Sequence, residues 1–153
     1  MVPEQIERET IVAAPIERVW EILTQPEHFQ RWFAFDGATI DLRPGGEIVM
    51  HWQEHGTFYA RIEAVDPPHR FAYLGARLPD DPVREGNATL VSFTLHPEGE
   101  GTRLRVVESG FRELAVPVEV QAETAEGNTA GWQGAFTALD AYIHGLALTA
   151  PAR

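Results

Sequence analysis

A chain of 153 residues, 44% of them hydrophobic, can bury one core without help from disulfides or metal, and it reads as a single domain over 1–153. Cysteine is absent, which excludes a disulfide framework, thiolate catalysis and Cys-ligated zinc or iron–sulfur sites. Twelve Lys plus Arg stand against 23 Asp plus Glu, and a net charge of −11 repels phosphate backbones and anionic membranes, so neither nucleic acid nor a membrane is expected as a partner. The N-terminus has no basic region followed by an apolar run, and no apolar stretch approaches a membrane span. A cytoplasmic location is the expectation.

Residues 6–12 alternate, which predicts a strand with Glu7 and Glu9 in water and Ile6, Arg8, Thr10 and Val12 inward. Arg8 is out of character on that face. It is either a polar group of a site or a strand-end arginine that snorkels or pairs with a carboxylate. Ala14-Pro15 stops the strand and opens a helix carrying Ile16, Val19, Trp20 and Leu23 at helical spacing. Pro26 breaks that helix, and 27–32 reads as a second short one presenting Phe29, Trp32 and Phe33. The run Trp32-Phe33-Ala34-Phe35 serves either as core or as the lining and mouth of a pocket.

From residue 37 the period becomes two, with strands expected at 38–43, 46–53, 56–65, 70–76, 88–97 and 102–110. Turn chemistry separates them: Pro44-Gly45-Gly46, Glu54-His55-Gly56, Asp66-Pro67-Pro68, a Pro/Asp-rich loop at 79–86, and Pro97-Glu98-Gly99-Glu100-Gly101. The expected inward residues are Ile48, Met50 and Trp52, then Phe58, Ala60 and Ile62, then Phe71 and Tyr73, then Val91, Phe93 and Leu95, then Leu104, Val106 and Glu108. Glu108 is the odd member, since a carboxylate on the concave face must find a partner, protonate or meet a ligand.

Residues 117–146 form one long amphipathic helix in this reading. Trp132, Phe136, Leu139, Ile143 and Leu146 share a stripe, which Gln121, Ala125 and Asn128 continue toward the N-terminus with small or polar groups. One half is anchored and the other borders open volume. Gly127, Gly131 and Gly134 lie on a neighbouring flank, where each costs about 1 kcal/mol of helix propensity and lets another backbone approach.

The order strand, two short helices, six strands, long helix is that of an α+β helix-grip fold: a curved antiparallel sheet wrapped around a C-terminal helix, with a cavity between them. Five blocks lie in order along the chain: Ala14-Pro15-Ile16-Glu17-Arg18-Val19-Trp20 with Leu23-Thr24-Gln25-Pro26-Glu27 and Trp32, then Pro44-Gly45-Gly46, Val65-Asp66-Pro67-Pro68-His69-Arg70-Phe71, Glu108-Ser109-Gly110-Phe111, and 128–132. In these blocks the sequence resembles the START-like or SRPBCC superfamily, and within it the bacterial proteins similar to the C-terminal domain of the heat-shock-protein-90 ATPase activator.

That resemblance implies a hydrophobic cavity. The expected function is non-enzymatic binding of a small aromatic or lipid-like molecule between the sheet and residues 121–136. Walls come from Met50, Trp52, Phe58, Tyr73, Phe93, Ala125 and Trp132, and polar orientation from Glu108, Asn128 and Arg8. No cofactor or metal is implied. Two alternatives stand beside it: an enzyme of polyketide cyclase or hydrolase type using Glu108, with His51 if the strand phase slips by one residue, or a chaperone-interaction module of the stress response contacting through Phe33 and Phe35. His51-Trp52-Gln53-Glu54-His55 matches a zinc-protease signature that needs a helix, whereas this stretch reads as a strand running into a glycine.

Overall fold

Strand β1 (Gln5–Val12) ends where Pro15 takes the position before α1 (Ile16–Thr24), and its carbonyl accepts the first amide bonds of that helix. Pro26 opens α2 (Pro26–Trp32) directly afterwards. The computed structural model describes residues 1–149, so the last four residues of the expected 1–153 domain lie outside the described residues. Val19, Ile22, Leu23, Phe29 and Trp32 are fully buried, and the Trp32 indole donates to the Ile22 carbonyl at 3.0 Å, locking the two helices together.

Six further strands follow: β2 (Ala38–Ile40), β3 (Glu47–Trp52), β4 (Gly56–Asp66), β5 (Arg70–Ala76), β6 (Ala88–Glu98) and β7 (Gly101–Ser109). With β1 they make one antiparallel sheet in the order β1-β7-β6-β5-β4-β3-β2, and β1 and β2 form its edges. Strand β2 stops three residues earlier than its pattern suggests. The Arg43 amide bonds the Asp41 carbonyl at 2.8 Å, and a side chain at Gly46 would sit 1.9 Å from that same oxygen, so the chain turns too tightly there to stay in the ladder.

The period-two assignment holds across the sheet, with one slip. A bulge between Ile62 and Ala64 resets β4, so that Val65 rather than Ala64 faces the core opposite Phe71. Such a bulge adds curvature, which the sheet needs to wrap a helix.

That helix is α3 (Val118–Thr149), preceded by a short 3-10 turn (Phe111–Glu113). Trp132, Ala135, Phe136, Leu139 and Ile143 pack into the main core, as the stripe requires. A second, smaller core joins Val2, Phe111, Leu114 and Ala125 at the other end. It forms because Gly110, at φ +97°, swings the chain out of β7 and delivers Phe111 beneath the helix. The architecture is the expected helix-grip fold. No described helix is long and apolar enough to cross a membrane.

Candidate ligand-binding site

Between the concave face of the sheet and the middle of α3 lies a cavity of about 740 Å³. Met50 and Trp52 of β3, Phe58 of β4, Tyr73 and Gly75 of β5, and Thr89 and Val91 of β6 line its sheet side. Thr124, Asn128, Gly131, Trp132 and Ala135 line the helix side, one turn after another. Phe33, Phe35 and Asp36 and the β3–β4 turn residues Gln53, Glu54 and His55 form the rim, with Arg77.

The aromatic walls are mutually braced. Phe33 stacks on Trp132 with centroids 4.9 Å apart and meets Trp52 edge-on at 5.1 Å, so one ring joins helix to sheet. The Trp52 indole donates to the Phe33 carbonyl at 2.8 Å, and Trp52 in turn meets Phe58 edge-on at 5.6 Å. Phe93 meets Trp132 at 5.6 Å from beneath. Rings held in this way present a preformed apolar surface whose shape does not depend on a ligand.

Glu108 is the polar centre. It is 3% exposed, and three neutral donors converge on its carboxylate: the Thr89 hydroxyl at 2.5 Å and the Asn128 amide at 2.8 Å on Oε2, and the Trp132 indole at 2.8 Å on Oε1. Asn128 and Trp132 are four residues apart, so one helical face supplies both bonds. Burial pushes the carboxyl above its ordinary range, while the bonds from Thr89, Trp132 and Asn128 pull the other way without cancelling it. No cation appears among these partners, so this group is held by hydrogen bonds alone.

Seven of the ten residues expected at the site line this cavity: Met50, Trp52, Phe58, Tyr73, Glu108, Asn128 and Trp132. Three do not. Arg8 has the inward phase, opposite Val106, but it lies on the edge strand β1 and its side chain is exposed. Phe93 is fully buried under Trp132 and Phe71, a layer below the cavity floor. Ala125 turns into the second core, because the Phe111 turn rises to meet the helix there.

Gln121, expected to border open volume, instead donates to the carbonyls of Arg112 and Leu114 and ties that turn to the helix. The glycine flank also differs from expectation. A side chain at Gly127, Gly131 or Gly134 would meet nothing within 4 Å, so no backbone approaches there. Gly131 and Gly134 instead border the cavity and widen it.

Thr89 is the residue that sequence reading passed over, although the β6 phase that placed Val91, Phe93 and Leu95 inward reaches it two residues earlier. His51 lies half-buried on the opposite face of β3, with its Nδ1 2.9 Å from the Thr57 hydroxyl, and does not reach Glu108. Its stretch is a strand entering a turn, and among the described residues no three His, Cys, Asp or Glu side chains are grouped to hold an ion.

Residues 13–144 match the family described as activator of Hsp90 ATPase homolog 1-like protein. No curated protein matches the chain. Among solved structures, protein MLL2253 from Mesorhizobium loti is similar at 24% identity with a TM-score of 0.76, over 96% of this chain and 99% of that one. CalU16 from Micromonospora echinospora is similar at 25% identity and a TM-score of 0.68, over 91% of this chain and 75% of that one. The Aha1 dimer from Colwellia psychrerythraea shares the fold at 16% identity and a TM-score of 0.69, over 89% of this chain and 92% of that one. With the family match spanning most of its length and a helix-grip architecture around the cavity, the chain belongs to the activator of Hsp90 ATPase homolog 1-like family of the START-like, SRPBCC superfamily.

Proposed function

We propose that this protein is a cytosolic binding module that holds a small, largely apolar ligand, aromatic or lipid-like, in the cavity between sheet and α3 and releases it unchanged. The observation that carries this reading is the cavity itself. Its volume of about 740 Å³ lies in the range of small-molecule sites, and its aromatic walls surround a small set of converging polar groups. Glu108 is the group an enzymatic reading would use as acid or base. Its two oxygens already accept three bonds, and His51 is turned away, so the arrangement supports a fixed polar anchor better than a group that exchanges protons with a substrate. Phe35, the exposed ring offered for chaperone contact, is 55% exposed yet borders the cavity, which a rim residue of a ligand site accounts for equally well.

The test is a screen of aromatic and lipid-like compounds by chemical-shift perturbation on nitrogen-labelled protein. Hits are expected to move the indole N–H signals of Trp132 and Trp52 and to be recovered intact after long incubation. Hits that move only signals remote from the cavity refute the site. Conversion of a hit that stops in Glu108→Gln, with binding retained, replaces the binding reading with the enzymatic one.

A further inference from the structure

Tyr73, Val91 and Glu108 lie side by side on three neighbouring strands, in register and on one face. At the usual strand spacing the outer two α-carbons stand about 10 Å apart, close to the length of a two-ring aromatic. Tyr73 is 2% exposed, and its ring packs at a tilt against Phe71 and Phe93. It leans along its strand toward Gly75, where an added side chain would come within 3.5 Å of the ring. Gly75 itself lines the cavity.

The Tyr73 hydroxyl has no hydrogen-bond partner among the described residues, and the little surface that Tyr73 keeps faces the cavity. It is an exception in this interior. The hydroxyls of Thr24, Thr89 and Thr102 and the amide of Gln121 all have partners. No fully sealed side-chain polar atom among the described residues lacks a partner, so this unpaired hydroxyl keeps its access to the cavity, and whatever fills the cavity completes its bonding.

The missing partner has definite chemistry. Burial and the nearby Glu108 carboxylate hold the phenol proton well above its ordinary range, so this group is an O–H donor at any working pH and calls for an acceptor. Glu108 offers the complement, since its three bonds leave about one of the four lone-pair positions of a carboxylate free, on Oε1. Charge narrows the class further. Asp36, Glu54 and Glu108 line the cavity, with Arg77 and the His55 imidazole at the rim, so an anion meets repulsion at the deep end, while an ammonium would give up its hydration between aromatic walls for the one free carboxylate position.

We propose that Tyr73 and Glu108 form a donor–acceptor pair that selects an uncharged aromatic ligand, with a carbonyl oxygen facing Tyr73 and a hydroxyl facing Glu108, and that discriminates against fatty acids and other carboxylates. The assignment rests on the cavity being a ligand site and adds which ligands it takes.

Calorimetric titration with naphthalene, 6-acetyl-2-naphthol, 2-naphthoate and 2-naphthylmethylamine tests it, using wild type, Tyr73→Phe and Glu108→Gln. Wild type is expected to bind the acetylnaphthol most tightly and the naphthoate least. Tyr73→Phe is expected to weaken the acetylnaphthol about three- to tenfold, the loss of one neutral hydrogen bond, and to leave naphthalene unchanged. Glu108→Gln is expected to narrow the gap between acetylnaphthol and naphthoate. Equal weakening of naphthalene by Tyr73→Phe assigns the residue to packing and overturns the donor role. Tighter binding of the naphthoate or the amine overturns the selectivity, as does equal binding of all four. In each of these cases the cavity still binds and only this inference falls. If none of the four binds, the cavity reading fails and takes this inference with it.

Discussion

Filling the helix side of the cavity separates empty volume from packed core, and Gly131→Leu is the perturbation that does so. Gly131 lies inside α3 and borders the cavity, and a side chain there meets no atom within 4 Å. Leucine exceeds glycine in helix propensity by about 0.8 kcal/mol. For a domain near 150 residues, 1 kcal/mol corresponds to about 2–4 °C in melting temperature, so the variant should melt about 2–3 °C higher. The same side chain occupies ligand volume beside Trp132, and overlap of that kind costs on the order of 1–3 kcal/mol, a loss of about 5- to 150-fold in affinity. Ala125→Phe is the control. Ala125 is enclosed by Val2, Phe111 and Leu114, so a ring there overpacks a filled core and lowers the melting temperature by several degrees. Scanning calorimetry and titration with 6-acetyl-2-naphthol read both effects. A Gly131→Leu protein that melts as low as Ala125→Phe, or that binds the probe as well as wild type, refutes the claim that this stretch of helix borders usable space.

Leu139 is fully buried beneath the helix, so Leu139→Ala should cost about 2–5 kcal/mol in denaturant unfolding, while Thr137→Ala on the exposed face should stay within about 0.5 kcal/mol. Thr89→Val removes a donor that lowers the Glu108 carboxyl, so carbon-detected titration should find that carboxyl higher still. Glu108 also sets a pH dependence. Burial raises its folded-state value above that of the unfolded chain, so the native state binds this proton more tightly. The resulting stabilisation is complete below the ordinary glutamate value of 4.5 and is lost as pH rises through the raised folded value. Glu108→Gln lacks this titration and should gain stability relative to wild type across that window; a constant difference between the two proteins from acid to neutral pH contradicts the sign.

Fold was legible because each element carries a local signal strong enough to stand alone. Proline punctuation at Pro15 and Pro26, alternation on β3 to β7, and the Trp132 to Ile143 stripe each state one face or one boundary. Glu108 was legible for the opposite reason, as a charge on an otherwise apolar phase. Arg8 and Ala125 misled because phase tells which way a side chain points and not what lies opposite. Arg8 has the inward phase on an edge strand yet stays exposed, and Ala125 meets a turn whose position depends on Gly110 and Gln121. The three donors around Glu108 come from β6 and from two turns of α3, and sequence separations of 19 to 24 residues leave no local trace of that convergence.

An open sheet has two unpaired rims of backbone amides and carbonyls, each a template on which another chain can add a strand. Both are blunted here. Strand β2 offers only three residues, too few for a stable extension. Strand β1 is longer but carries Glu7, Arg8 and Glu9 in succession, and Arg105 and Arg103 of β7 engage the two glutamates in ion pairs. An incoming strand would have to seat itself against that row of charge. The misplaced Arg8 thus has a use outside any pocket: it belongs to a charged border that keeps a half-open sheet from growing into aggregates in a crowded solution.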